Sequence, residues 1–238
     1  MSNSQASTPV NLLSQVEQCR AQLTGTGAPF ERITVEVNGH NYLAYRNAFP
    51  NLPVLINAGR ANGPREFMVY ESDRWTFDRF FQAVDALAAN LQHTLKLQAG
   101  DRVAIAMRNR PEWAVAFAAI ALIGAVPAPL NSYGLHDELM ANLDDLQPKL
   151  LICDPERFVR VQDDLASVAC KAIVVDGTPQ QGDFSWPSIL AAGNTAYVTP
   201  KLEATAPALV LFTSGASSQA KAVLSNQMAV CQALFNIA

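Results

Sequence analysis

The sequence predicts an α/β protein built on a layered parallel sheet with flanking helices, preceded by an N-terminal helix and β-hairpins. Two observations carry that expectation. From residue 102 onward, short apolar runs at 102–107, 126–130, 149–153, 172–175 and 208–212 alternate with helix-like segments at 111–123, 137–146, 155–168 and 188–192. Past Arg102 and Lys149, which open two of them, the runs are also continuously apolar rather than apolar at every second position, as expected of parallel strands covered on both faces. Ligands of such sheets sit at the carboxyl ends of the strands.

The N-terminal elements follow from local chemistry. Residues 1–29 hold a polar tail and a short amphipathic helix. Thr8 suits an N-cap and Pro9 a first helical position, and Leu12, Leu13, Val16 and Leu23 share one face, which is expected to pack on the body. The remainder, 30–238, reads as one incomplete domain. Residues 33–45 alternate around Asn38-Gly39, the preferred pair for a type I′ hairpin turn. A second extended pair is expected at 66–71 and 74–76, joined by Ser72-Asp73, with a helix at 52–61 and Gly63 just past it. Thr76 caps a long helix in which Phe77, Phe80, Phe81, Val84, Leu87, Ala88, Leu91 and Leu95 keep helical spacing.

Bulk properties exclude several classes. The chain has 238 residues, half of them apolar, enough for a sizeable core. A net charge of -4 gives no electrostatic reason to expect nucleic acid. Cys19, Cys153, Cys170 and Cys231, like His40, His93 and His136, lie scattered, so neither a metal site nor a disulfide framework is expected, and buried free thiols are. The first residues lack a secretory leader, and a cytoplasmic location is expected. Residues 113–130 carry no charge but are broken by Gly124, Pro127 and Pro129, which reads as a buried helix and strand rather than a membrane span. Arg108 and Glu112 are candidates for an ion pair, and Asp101 for a cap or turn. The doublets Asp137-Glu138, Asp144-Asp145 and Asp163-Asp164 read as solvated faces, since adjacent residues diverge around a helix.

The stretch 207–226 draws the functional reading. An apolar run ends in Thr213, Ser214, Gly215, Ala216, Ser217 and Ser218, and Lys221 follows as the one charged residue between 204 and 238. Hydroxyls and backbone amides beside a lone cation, carried between two apolar segments expected to be buried, suit a polyphosphate. The spacing is not that of a Walker A loop, because Ala220 and Ala222 flank the lysine where that motif has Gly and Ser or Thr.

TSGASSQAKAV resembles the phosphate-binding signature T-S-G-S/T-S/T-G-x-P-K-G-V of the adenylate-forming superfamily, which takes in acyl-CoA synthetases, firefly luciferase and peptide-synthetase adenylation domains. Trp75-Thr76-Phe77 resembles the family's early Y/W-S/T-Y/F segment, and residues 100–131 are similar to its G-D-x-V, N-x-x-E and G-A-V-x-x-P-L-N region. The wording RNRPEW and LICD looks most like the medium- to long-chain acyl-CoA synthetase branch. The resemblance implies an enzyme that activates a carboxylic acid, with a fatty acid the leading candidate. ATP and Mg2+ convert the acid to an acyl-adenylate, which coenzyme A then takes up as a thioester. It implies that Thr213, Ser214 and Ser217 donate hydroxyls, Gly215 lets the backbone approach, and Lys221 meets the pyrophosphate oxygens.

Four positions depart from the signature: Ala216, Ser218, Ala220 and Ala222. The family's adenine, ribose and hinge segments and its C-terminal lysine have no counterpart in these residues. The 227–238 segment reads as a helix with Met228, Val230, Cys231, Leu234, Phe235 and Ile237 to bury, and it ends without a capping glycine or polar tail. These features lead to the expectation of an N-terminal part of a longer ligase, with no catalytic residue of its own and inactive alone. Two alternatives stay open: a truncated non-catalytic paralogue acting as a binding module, and an adenylation domain of a peptide synthetase.

Overall fold

A computed structural model describes residues 12–193, 196–213 and 220–237. By its internal packing the chain divides into two units, residues 1–48 with 234–238, and residues 49–233.

The first unit opens with α1 (Leu12–Thr24), which buries none of its residues. Leu12, Leu13, Val16 and Leu23 are at least half exposed, so the apolar face read from the sequence is formed but nothing in this unit covers it. Thr8 and Pro9 lie outside the described residues. Strands β1 (Arg32–Val37) and β2 (His40–Tyr45) pair antiparallel, from Arg32 opposite Tyr45 to Val37 opposite His40. Asn38 and Gly39 turn between them at φ 52° and 78°, as a type I′ turn demands. Phe235 packs its ring between Phe30 at 5.6 Å and Tyr45 at 5.3 Å.

The second unit carries the sheet. Helix α2 (Leu52–Ala58) starts at Asn51, whose side chain accepts from the Val54 N–H, and continues as a 3-10 turn to Asn62. Strands β3 (Glu66–Tyr70) and β4 (Asp73–Thr76) form the second hairpin. Thr76 then caps α3 (Phe77–His93) by accepting from the Arg79 N–H, as its position predicts. Strand β5 (Arg102–Ala106) leads to α4 (Pro111–Leu122), then β6 (Val126–Pro129), α5 (His136–Leu146), β7 (Leu150–Cys153), α6 (Pro155–Val161), β8 (Lys171–Val174), β9 (Phe184–Ser185) and α7 (Trp186–Leu190). The five strands pair in the order β6-β5-β7-β8-β9, all parallel. Successive side chains point to opposite faces. Val103, Ile105, Leu150, Ile152 and Ile173 therefore meet α3 and α4 on one face. Ala104, Ala106, Leu151, Cys153 and Val174 meet α5 and α6 on the other. The α/β reading of the sequence holds.

Three expectations change. The segment 155–168 is not one helix: α6 ends at Val161 and a 3-10 turn follows at Leu165–Val168. The backbone carbonyl of Asp164 takes up the N–H and hydroxyl of Ser167, an acidic turn that competes with helix continuation. The run 208–212 does not join the parallel sheet. Strand β10 (Pro207–Thr213) instead pairs antiparallel with β11 (Lys221–Asn226). The adjacent edge explains it. In β6, Val126 and Leu130 donate their N–H groups inward to Asp101 and Ile105. The positions facing outward are Pro127 and Pro129, which have no N–H to offer. Finally, α8 (Gln227–Phe235) buries Gln227 and Cys231, while Leu234 and Ile237 stay exposed. The Gln227 side chain accepts from the Leu52 N–H and donates to the Pro207 carbonyl, each at 2.9 Å, tying α2, β10 and α8 together.

Among the described residues no helix is long and apolar enough to cross a membrane. The 113–130 stretch is a helix and a strand, as its glycine and prolines predict.

Candidate functional site

The hairpin β10–β11 frames the hydroxyl-rich segment. Its register sets Phe212 opposite Ala222 and Thr213 opposite Lys221. Thr213 and Lys221 thus stand across from each other at the two ends of the segment, ~5 Å apart between Cα atoms in antiparallel pairing. Ser214, Gly215, Ala216, Ser217 and Ser218, the other sequence candidates, lie outside the described residues. Lys221 is exposed and enters no ion pair among the described residues. The two arms are not both buried, as the sequence had suggested: β10 buries Ala208 and Val210, while β11 is exposed over its first four residues. An arm that pairs on one side only and lies over the sheet's edge can bury only the side chains it turns inward.

The hairpin has a direction relative to the sheet. Ala208 packs with Ala121, in the last turn of α4, and with Leu52 and Cys231. That end of α4 leads into the start of β6. Strand β10 runs from there alongside β6, with Val210 and Phe212 in the core beneath α5 and α6. Its far end, Thr213, therefore points toward the carboxyl edge of the sheet.

That edge collects polar groups. Asp154, at the end of β7, caps α6 through the Arg157 N–H at 3.0 Å and accepts the Arg108 N–H at 3.1 Å from the end of β5. It also holds the Arg157 guanidinium at 3.2 Å, with both side chains buried. Arg157 Nε donates to the carbonyl of Ser132, just past β6. One buried carboxylate thereby fixes the ends of three neighbouring strands. Arg110 bridges Glu112 at 2.7 Å and Asp176, at the end of β8. The expected Arg108–Glu112 pair does not form. Arg110, two residues on, reaches Glu112 instead, while Arg108 lies over the ring of Tyr133 at 4.1 Å.

Asp101 does serve its turn, accepting from the Gln98 N–H and pairing with Lys149. The acidic doublets lie exposed, as expected. Of the four cysteines, three are buried thiols and Cys19 is exposed. His136 is less isolated than its place in the sequence suggests, since its ring nitrogens face Asp137 and Asp164. The Asp154–Arg157 core is the part of the edge that the sequence reading missed. Its signal was present: an acidic residue directly before Pro155 is an N-cap pattern.

The profile of a family described as AMP-binding enzyme matches residues 56–238, most of the chain and all of the sheet. The chain belongs to the AMP-binding enzyme family. A 2-succinylbenzoate–CoA ligase of Bacillus velezensis is 31% identical over 169 residues, 71% of this chain and 32% of that protein. A protein of Mus musculus named long-chain fatty acid transport protein 6 is 27% identical over 187 residues, covering 75% of this chain and 30% of its own length. The chain therefore spans about a third of the curated relatives it matches. Among solved structures, an anthranilate CoA ligase in complex with anthranoyl-AMP superposes with a TM-score of 0.69 at 16% identity, over 75% of this chain and 35% of the other. At that identity the likeness is one of fold. The family is one of enzymes, and the sequence resemblance led to the same group.

Proposed function

We propose that this AMP-binding chain is part of an ATP-dependent acid–thiol ligase and that residues 213–221 contact its nucleotide phosphates. The observation carrying the reading is the register that faces Thr213 across from Lys221, at the end of β10 nearest the carboxyl edge of the sheet. A hydroxyl and an ammonium there flank, in sequence, the residues Ser214, Gly215, Ala216, Ser217 and Ser218. Thr213, Ser214 and Ser217 would donate to phosphate oxygens, Gly215 would admit the backbone, and Lys221 would neutralise charge on the leaving diphosphate. In the reaction a carboxylate oxygen attacks the α-phosphorus of ATP, pyrophosphate departs, and the thiol of coenzyme A displaces AMP from the acyl carbon.

Mg2+ would arrive with the nucleotide. Among the described residues there is no group of three His, Cys, Asp or Glu able to hold a metal. The acid is proposed to be a fatty acid, supported by RNRPEW and LICD. The relatives also include a ligase named for an aromatic acid.

Pyrophosphate titration of the 238-residue chain tests the loop. Lys221→Ala should weaken binding about tenfold, or ~1.4 kcal/mol, for loss of one charge-assisted contact. Unchanged affinity would remove the lysine from the site. Carboxylate-dependent ATP–pyrophosphate exchange, run with octanoate, palmitate and benzoate, tests the rest. The chain extended by its downstream coding sequence should turn over a fatty acid fastest, and the 238 residues alone should give no exchange.

A specific feature supports a second reading, a non-catalytic binding module: Ala216, Ser218, Ala220 and Ala222 replace residues of the family signature. Restoring Ser218→Gly, Ala220→Pro and Ala222→Gly together distinguishes the two. Much tighter pyrophosphate binding would show the loop to be weakened, and no change would show that it tolerates its own sequence.

A further inference from the structure

A cavity of about 310 Å3 opens between α2, α3, α4 and β3. Its walls follow from helical spacing: Phe77, Phe80 and Phe81 recur along one stripe of α3, and Trp113 and Phe117 along one stripe of α4. Phe67, from β3, stacks on Phe77 at 4.4 Å and lines the cavity with its ring partly exposed. Where more bulk would close the space, the lining is small: Gly59, Ala114 and Ala118. Arg60 lies over the outer ring of Phe81 at 4.2 Å, its charge already satisfied by Asp85. Among the described residues no charged side chain lines this cavity, and rings dominate it.

Trp113 is shared with a second cavity of about 350 Å3, a mostly apolar one bordered by Met68, Val69, Tyr70 and Pro111, to which Asn109 and Arg110 add polar groups. The Arg110 guanidinium there is already held by Glu112 and Asp176. One cation against two carboxylates makes this end unfavourable for an anion, while the Asn109 amide suits a neutral hydrogen-bonding group.

We propose that the two adjoining cavities form a binding site for a neutral amphiphile, with an alkyl chain among the rings and an alcohol or amide head beside Asn109. The size fits: roughly 150 Å3 holds one benzene ring, and this cavity offers about twice that. Volumes of this order and apolar linings with a few polar groups characterise small-molecule sites. The inference stands apart from the nucleotide reading. Among the described residues, none of β10 or β11 lines either cavity, and the ligand carries neither phosphate nor carboxylate.

The test is calorimetric titration of the 238-residue chain with n-alcohols of increasing length, with tryptophan fluorescence followed in parallel. Binding should be saturable and rise about fourfold per methylene, the equivalent of ~0.8 kcal/mol per buried CH2, then stop rising near n-decanol. Ala114→Phe, which fills the cavity, should cut n-decanol affinity at least tenfold with the far-ultraviolet circular dichroism unchanged. Phe117→Leu, which widens it, should move the length limit to longer alcohols and guards against a misfolded first variant. At pH 8 decanoate should bind at least tenfold more weakly than n-decanol. Non-saturable partitioning, affinity that climbs with length without limit, an Ala114→Phe variant that binds like the native chain, or decanoate binding as tightly as decanol would each overturn the proposal.

Discussion

Asp154 takes on three tasks at one position. Its carboxylate caps α6, receives the Arg108 N–H and neutralises Arg157, which is 2% exposed. Breaking a buried ion pair costs ~3–5 kcal/mol. Glu156, 2.8 Å from the same guanidinium, keeps part of the Arg157 charge compensated. Asp154→Ala should therefore lower unfolding free energy in urea denaturation by about 3 kcal/mol, the low end of that range, with the lost α6 cap and the orphaned Arg108 N–H contributing. Arg157→Met, which removes the charge and keeps much of the volume, should cost less. Equal losses for the two would mean that the cap, rather than the charge, dominates. Lys221 presents the opposite case: an exposed cation whose removal should leave stability within about 0.5 kcal/mol and change only anion binding.

At the scale of elements, the junction between α4 and β6 sets the sheet's edge. Gly124 ends α4 at φ 75°, and a Cβ there would come within 2.5 Å of Pro200 Cγ and 3.2 Å of Ala99 Cβ. Positive φ and steric crowding act together, so Gly124→Ala should destabilise by at least ~1–3 kcal/mol, read as a lower midpoint in thermal or urea unfolding. A midpoint unchanged from the native chain would show that the 200 region yields freely. The strand beyond this junction shows how one side of a short element governs its neighbour. Pro127 and Pro129 occupy the outward positions of β6, and the strand lying alongside it, β10, finds its ladder partner in β11 instead. That choice brings Thr213 and Lys221 into register.

Across the whole molecule, burial controls titration. The Cys170 thiol is pushed up to about 12 by burial and by the field of Asp183. Tyr197 reaches about 12 through burial and its contact with Asp85, against the opposing effect of Arg60. Burial also raises Cys153 well above the ordinary thiol range. The unfolded chain gives up these protons first, near ~8.5 for thiols and ~10 for tyrosine. Between those values and about 12 the folded state holds more protons, so stability falls as pH rises. The thermal midpoint should decline from pH 8.5 to 11, and Cys170→Ala should flatten the decline; a midpoint constant over that range would contradict the burial of these groups. His136 works at lower pH. Its pKa is raised by hydrogen bonding to Asp137 and Asp164, so its contribution is complete below its unfolded value and is lost as pH climbs through the folded one. Thiol labelling offers an independent check: in the native state one equivalent, Cys19, should react rapidly with a thiol reagent, and the other three only after unfolding.

The sequence by itself determined the periodic elements: the cap at Thr76, the turn at Asn38-Gly39, the apolar strands of the parallel sheet and the helical stripe of Phe77 to Leu95. These rest on residues within a few positions of one another, where chirality, capping and side-chain period act locally. It also determined the family, because the loop and the 100–131 wording are short contiguous patterns. What only the tertiary structure decided depends on partners distant in the chain. Asp154 meeting Arg108, Gln227 joining Leu52 to Pro207, Arg110 reaching Asp176 and the aromatic cavity between α3 and α4 all join groups that local spacing cannot pair. The exposed apolar face of α1 makes the same point in reverse. Helical spacing lines up Leu12, Leu13 and Val16, but burial requires a second surface, and spacing along one helix does not specify one.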